Sequence, residues 1–125
     1  MATILLAEDD HALRHFLKVS LERAGHEVVA VGDGEEAMRW VITRDFDLLL
    51  ADVVMPGTDG IELARRARPM RPAMRVMFIT GFAAMTLKAK SALGGQTTVL
   101  SKPFHLKDLA TEVDTVLAGG RQPVA

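Results

Sequence analysis

The chain has 125 residues, 15 Lys or Arg against 16 Asp or Glu, a formal net charge of -1 and no cysteine. At that length and at 49% hydrophobic content, one domain with a substantial core is the natural expectation. The charge balance gives no global pull toward nucleic acid or an anionic membrane, and the missing cysteine excludes disulfides, thiolate catalysis and Cys-ligated zinc. No apolar stretch approaches the roughly 20 residues of a membrane span. The start, Met1-Ala2-Thr3-Ile4, lacks the basic n-region and longer apolar core of a signal peptide. The expectation is a soluble cytoplasmic protein.

In chain order, residues 3–8 read as a first strand that runs into Glu8-Asp9-Asp10. A helix follows, with Leu13, Phe16, Leu17, Leu21 and Ala24 on one stripe and Gly25 as its C-terminal cap. Residues 27–31 form a short second strand. Asp33 fits an N-cap with Glu36 at the third helical position, opening a helix through Met38, Val41 and Ile42. Residues 46–52 are a continuous apolar run ending in Asp52, which reads as a buried strand with a carboxylate at its tip. Residues 60–67 form a third helix stopped near Pro69 and Pro72. Residues 75–80 form a fourth strand, 83–93 a fourth helix ended by Gly94-Gly95, and 97–101 a fifth strand running into Lys102-Pro103. The last helix carries Leu106, Leu109, Val113, Val116 and Leu117 on one face. The domain is expected over 1–118, with 119–125 a flexible tail.

Five strands alternating with five helices predict a doubly wound α/β sheet, parallel and covered on both faces. In such sheets ligands bind outside the carboxyl ends of the strands. The unusual residues fall at those ends: Glu8 and Asp9 after the first strand, Asp52 at the third, Thr80 at the fourth and Lys102 at the fifth. Taken singly, each has an ordinary reading: a solvated loop and N-cap, a turn acid, a strand threonine, a surface lysine. Together they suggest a divalent-metal and phosphoryl site. Converging carboxylates repel, and a hard cation relieves that repulsion. Phosphoryl transfer onto Asp52 would pass through a loose, anionic transition state that Mg2+ and an ammonium stabilise.

Four motifs in this order resemble the response-regulator receiver domain, the CheY-like family of bacterial two-component signalling. They are Leu6-Ala7-Glu8-Asp9-Asp10, Ala51-Asp52-Val53-Val54-Met55-Pro56-Gly57 with Asp59-Gly60, Thr80-Gly81, and Lys102-Pro103-Phe104. The resemblance implies a flavodoxin-like (βα)5 fold with strand order 2-1-3-4-5. It implies Asp52 as phosphoacceptor and Asp9 as a direct Mg2+ ligand. It further implies Glu8 acting on the metal through water, the Val54 backbone carbonyl as a further ligand, and Thr80 and Lys102 as phosphoryl contacts. The Lys102-Pro103 peptide would be cis. The donor would be a phosphohistidine on a histidine kinase or histidine phosphotransferase, since the chain has no nucleotide-binding loop. The chain would be a phosphoacceptor that promotes its own phosphorylation and dephosphorylation, not a turnover enzyme. A small Mg2+-dependent phosphatase would need a second acid two residues after Asp52, where Val54 stands.

The family usually carries an aromatic residue where Val99 stands, so Phe82 and Met85 become candidates for the switch or interface. Packing of both into the core is the competing expectation. The segments 77–84 and 99–106 resemble the CpdR-like subgroup of single-domain regulators of alphaproteobacteria. That resemblance implies a receiver without an output domain whose unphosphorylated form primes the ClpXP protease for selected substrates, with ClpX a partner and the cell cycle the process affected. A phosphorelay shuttle and a receiver serving a hybrid histidine kinase are the alternatives. Output would use the fourth helix, fifth strand and fifth helix. His11 and His15 are expected on an exposed helix face, His26 in a turn and His105 at a helix start. Arg65, Arg66, Arg68, Arg71 and Arg75 are expected to form a solvated basic face far from Asp52.

Overall fold

A computed structural model describes residues 1–94 and 97–119. Five strands and five helices alternate: β1 Thr3–Ala7, α1 His11–Arg23, β2 Glu27–Val31, α2 Gly34–Thr43, β3 Leu48–Asp52, α3 Gly60–Ala67, β4 Arg75–Thr80, α4 Ala83–Ser91, β5 Thr98–Ser101 and α5 Leu106–Leu117. All four strand pairings are parallel, and the order is β2-β1-β3-β4-β5. This is the expected doubly wound sheet. The expected tail over 119–125 falls, from Gly120 on, outside the described residues.

Side-chain alternation divides the core between the two faces of the sheet. Leu5, Leu49, Val76 and Phe78 face one way, toward Ala37, Val41, Ile61, Leu63 and Ala89 of α2, α3 and α4. Ile4, Leu6, Leu48, Leu50, Met77 and Ile79 face the other, toward Leu17 and Leu21 of α1 and Leu109, Val113 and Val116 of α5. Each fully buried Leu or Ile contributes roughly 2 kcal/mol of transfer free energy. The most completely buried part of the sheet is its centre, where β3 is buried along its whole length.

Register puts the chemistry on one rim. Ala7 pairs with Ala51, Asp52 with Ile79, and Thr80 with Ser101. The ladder continues past the strands through Glu8 N to Val31 O (3.1 Å), Val53 N to Ile79 O (2.9 Å) and Lys102 N to Thr80 O (2.7 Å). Gly60 opens α3 against the end of β3. A methyl group there would overlap the carbonyl oxygen of Asp52, so only glycine allows this approach. At the opposite end of α1, Gly25 takes φ 98°, a left-handed conformation that ends the helix.

Some expected core positions turn outward. Phe16 and Ile42 are exposed, as is Ala24, the C-cap of α1. They sit at the margin of their stripes, while Leu17 and Leu21, or Met38 and Val41, take the centre. Phe82, expected in the core, is 59% exposed, whereas Met85 packs against the core as expected. Phe46 is buried but precedes the strand: the backbone of Asp47 makes the first bonds to the neighbouring strands, with Thr3 O (2.8 Å) and Arg75 N (3.0 Å). The helix over 83–93 ends as α-helix at Ser91.

Candidate phosphoryl and metal site

Glu8, Asp9 and Asp52 converge at the rim. One carboxylate oxygen from each lies within 4.8 Å of the others. Glu8 is fully buried, Asp52 nearly so, and Asp9 is exposed. Lys102 reaches across from the end of β5 and places Nζ 2.7 Å from Asp52 Oδ2 and 3.1 Å from Glu8 Oε1. The Lys102-Pro103 peptide is cis. Thr80 is buried, and its Oγ1 accepts from Phe82 N at 3.1 Å.

Local chain geometry sets the acids. Asp10 caps α1, with Oδ1 accepting from Leu13 N (2.9 Å), and its own amide donates to Glu8 Oε2 (3.1 Å). The N-cap reading of the acidic run therefore holds for Asp10, while Glu8 and Asp9 are left for the rim. Arg14, one turn into α1, donates from Nη1 to the carbonyl of Glu8 (2.9 Å) and holds the loop from behind. After β3 the chain turns so that Val54 N donates to Asp52 Oδ1 (3.1 Å). Asp59 caps α3 through Glu62 N (2.8 Å), fixing the helix whose first residue touches Asp52.

Electrostatics follow from burial. Glu8 is pushed up to about 7, first by loss of hydration, with Asp52 adding repulsion. The bond from Asp10 N and the Lys102 ammonium oppose that rise. Burial alone would lower Lys102, but its bonds to Asp52 and Glu8 outweigh that and raise it. Glu8 Oε1 has its ion-pair contact with Lys102 yet no hydrogen bond of good geometry, so a buried anionic oxygen is left underserved. Hard oxygen donors in one cluster, one of them underserved, suit a small divalent cation such as Mg2+.

The other sequence candidates lie off this pocket. Met85 and Val99 pack against the core on the α2–α4 side, and Phe82 lies outside it on the surface. His11 and His15 are exposed. His26 is more enclosed than a turn residue needs to be: its Nδ1 accepts from Ala2 N at 3.1 Å. His105 starts α5 without a side-chain cap. The basic cluster is less free than a solvated face, since Arg66 pairs with Glu35 (2.9 Å), Arg71 with Asp45 (2.9 Å), and Arg68 donates to the carbonyl of Leu93 (2.9 Å). Sequence reasoning missed Arg14 and the capping role of Asp59. The Asp59-Gly60 pair carried a signal for the second. Nothing in the spacing of Arg14 pointed to the first.

Residues 4–114 match the family model of the response regulator receiver domain. The chain belongs to the receiver family of response regulators. It is 50% identical over 117 residues to the response regulator receiver protein CpdR of Brucella abortus, covering 94% of this chain and 98% of that one. It is 38% identical over 124 residues to the DNA-binding transcriptional regulator NtrC of Azospirillum brasilense, covering 99% of this chain but 26% of NtrC. Among solved structures, the CheY-like receiver domain protein of Methanospirillum hungatei superposes with a TM-score of 0.87 at 28% identity, covering 96% of each chain. TrrA of Thermotoga maritima, solved with Mg2+ and BeF, superposes with a TM-score of 0.82 at 25% identity over 93% of this chain and 99% of TrrA. Glu8, Asp9 and Asp52 form the acidic cluster typical of a receiver's Mg2+ site. No helix among the described residues is long and apolar enough to cross a membrane.

Proposed function

We propose that the chain is a cytoplasmic phosphorylation switch in which Asp52 accepts a phosphoryl group from a phosphohistidine on a histidine kinase or phosphotransferase, and that its state controls binding to an effector protein. The observation that carries this is the convergence of two further carboxylates, Glu8 and Asp9, and the Lys102 ammonium on the Asp52 side chain. Asp9, Asp52 and the Val54 backbone carbonyl would hold Mg2+, with Glu8 acting through water. Bound Mg2+ would spread the charge of the phosphoryl oxygens and relieve the repulsion among the acids.

The rest is done by this chain's own groups. An Asp52 oxygen attacks phosphorus, the P–N bond breaks, and its electron pair leaves with the donor imidazole. Lys102, already on Asp52 Oδ2, shifts to a phosphoryl oxygen as charge moves outward from the carboxylate. The acyl phosphate carries more negative charge than the carboxylate it replaces. That charge attracts the Thr80 hydroxyl, which then leaves or shares the Phe82 amide it now holds. Phosphorylation thus reads out at Phe82, on the surface of the flank where Met85 and Val99 pack against the core.

The likeness to CpdR along almost the full length of both chains supports a finer reading, a stand-alone adaptor that regulates ClpXP proteolysis and the cell cycle through ClpX. Two measurements test the proposal. Incubation with a small phosphodonor and Mg2+ should label the chain once and stop, and Asp52→Ala should abolish labelling. Continued turnover of phosphomonoesters would instead make it a phosphatase. ClpX should then be retained by the unphosphorylated chain and released from the phosphorylated one. Retention that ignores phosphorylation would remove the adaptor role and leave a phosphorelay shuttle.

A further inference from the structure

The carboxylates at the rim are only as well aimed as the backbone that carries them. Asp9 is exposed, and Arg14 reaches it through its main chain. The backbone amide of Arg14 donates to Asp10 O (2.8 Å), the first main-chain bond of α1. Helical side chains lean toward the N-terminus, so the same residue can reach back past the cap. Its Nη1 donates to Glu8 O at 2.9 Å and lies 3.5 Å from Asp9 O. Arg14 therefore fastens the acidic run by main chain at one end and by side chain at the other. The guanidinium also rests against the turn between β2 and α2, where a methyl group on Gly32 would lie 3.0 Å from Nη1. The bond from Glu8 N to Val31 O (3.1 Å) ties the same two stretches together.

We propose that Arg14 is a positioning residue for the divalent cation: it favours Mg2+ by fixing the carbonyls of Glu8 and Asp9, and so the aim of the Asp9 carboxylate, although its own charge opposes the ion. This role rests on the Mg2+ reading above and deepens it. Two effects of opposite sign compete at this position. A guanidinium beside a cation site repels the ion, so deleting it should tighten binding. A guanidinium that holds the ligand loop in place favours the ion, so deleting it should loosen binding. Partners that orient metal ligands ordinarily change affinity by about ten- to a hundredfold, more than a repulsion screened by solvent at this half-buried position. Arginine suits the task because its planar fork stays charged and offers several N–H donors at fixed angles, whereas lysine keeps the charge and loses the fork.

The test is titration of the full, unphosphorylated chain with Mg2+, followed by calorimetry and amide chemical shifts. Arg14→Met should weaken Mg2+ binding by roughly tenfold, against the sign that loss of a positive charge alone would give. Arg14→Lys should recover part of that loss. Gly32→Ala deletes nothing but presses on Nη1, and should weaken Mg2+ in the same direction by less. In labelling with a small phosphodonor, the Arg14→Met defect should be large at limiting Mg2+ and vanish at saturating Mg2+, because the loss is in metal binding and not in attack on phosphorus. Circular dichroism in chelator would confirm folding. Tighter or unchanged Mg2+ binding in Arg14→Met, or a labelling defect that persists at saturating Mg2+, would overturn the role. Should Arg14→Met not fold, Gly32→Ala decides, and unchanged Mg2+ binding there would overturn it. A chain of unaltered sequence that binds no Mg2+ would sink the metal-site reading and this role with it, whereas binding that ignores the variants would sink the role of Arg14 alone.

Discussion

The central rim and the α4–β5 flank are built to different standards. At the centre, β1 and β3 are sealed on both faces, and the acids they deliver are held by Asp10 N, Val54 N and Lys102, with Arg14 behind the loop. On the flank, β5 is a four-residue edge strand of mixed burial, and α4 buries one residue and lacks a side-chain cap. Lys102 comes from the flank and is pulled into the centre. In the proposed function, the difference would let the site stay fixed while one side responds: the acids hang on fully buried strands and the proposed reporters on a less buried flank.

The contrast can be broken most forcefully at Gly60. A side chain there collides with the Asp52 backbone, so Gly60→Val should cost about 4 kcal/mol, at the diagnostic end of single substitutions. Chemical denaturation would measure it, and a cost below that of an average surface change would mean the centre yields easily. Next is Lys102→Met, which strands Glu8 and Asp52 without their cation. A loss of about 3 kcal/mol at pH 8 is expected, shrinking at pH 5.5 where Glu8 takes up a proton.

A smaller effect sharpens the same point through pH. With its folded value raised from 4.5 to about 7, Glu8 binds a proton in the folded chain that the unfolded chain releases between those values. Its contribution is fully present below pH 4.5 and is lost as pH rises through about 7. In chelator, melting temperature should therefore fall across that window, and Glu8→Gln should flatten the slope. Excess Mg2+ should offset the loss, more so at high pH, because metal binding competes with the proton. The smallest effects compare helix caps. Asp59→Ala, at the centre, should cost about 1 kcal/mol, while Phe82→Ser, which supplies the cap α4 lacks, should gain about 0.5 kcal/mol. Equal losses from both substitutions would erase the distinction between the two regions.

Much of the fold was legible because continuous apolar runs mark the strands and period-3.6 stripes mark most of the helices. The limits expected for β2, α3 and β4 coincide with those observed. The patterns fail at the edges of stripes. Phe16 and Ile42 fit a helical face numerically but lie beyond the reach of the sheet, and a moment cannot say how wide the partner surface is. Phe82 fails for another reason: its amide is committed to Thr80, which turns the chain outward before α4 begins. At the site, strand-end position was readable from one dimension. The depth of Glu8, its pairing with Lys102 ninety-four positions along the chain, and the brace from Arg14 depend on how strands stack and were not.

The phosphorylation switch stands or falls with Asp52 as the residue that receives the phosphoryl group. Treating the chain with a small phosphodonor and Mg2+, trapping the acyl phosphate by borohydride reduction and mapping the peptides would test it most directly. One modified site at Asp52, absent without Mg2+, is the expected result. Modification at another acid, or labelling that survives Asp52→Ala undiminished, would contradict it.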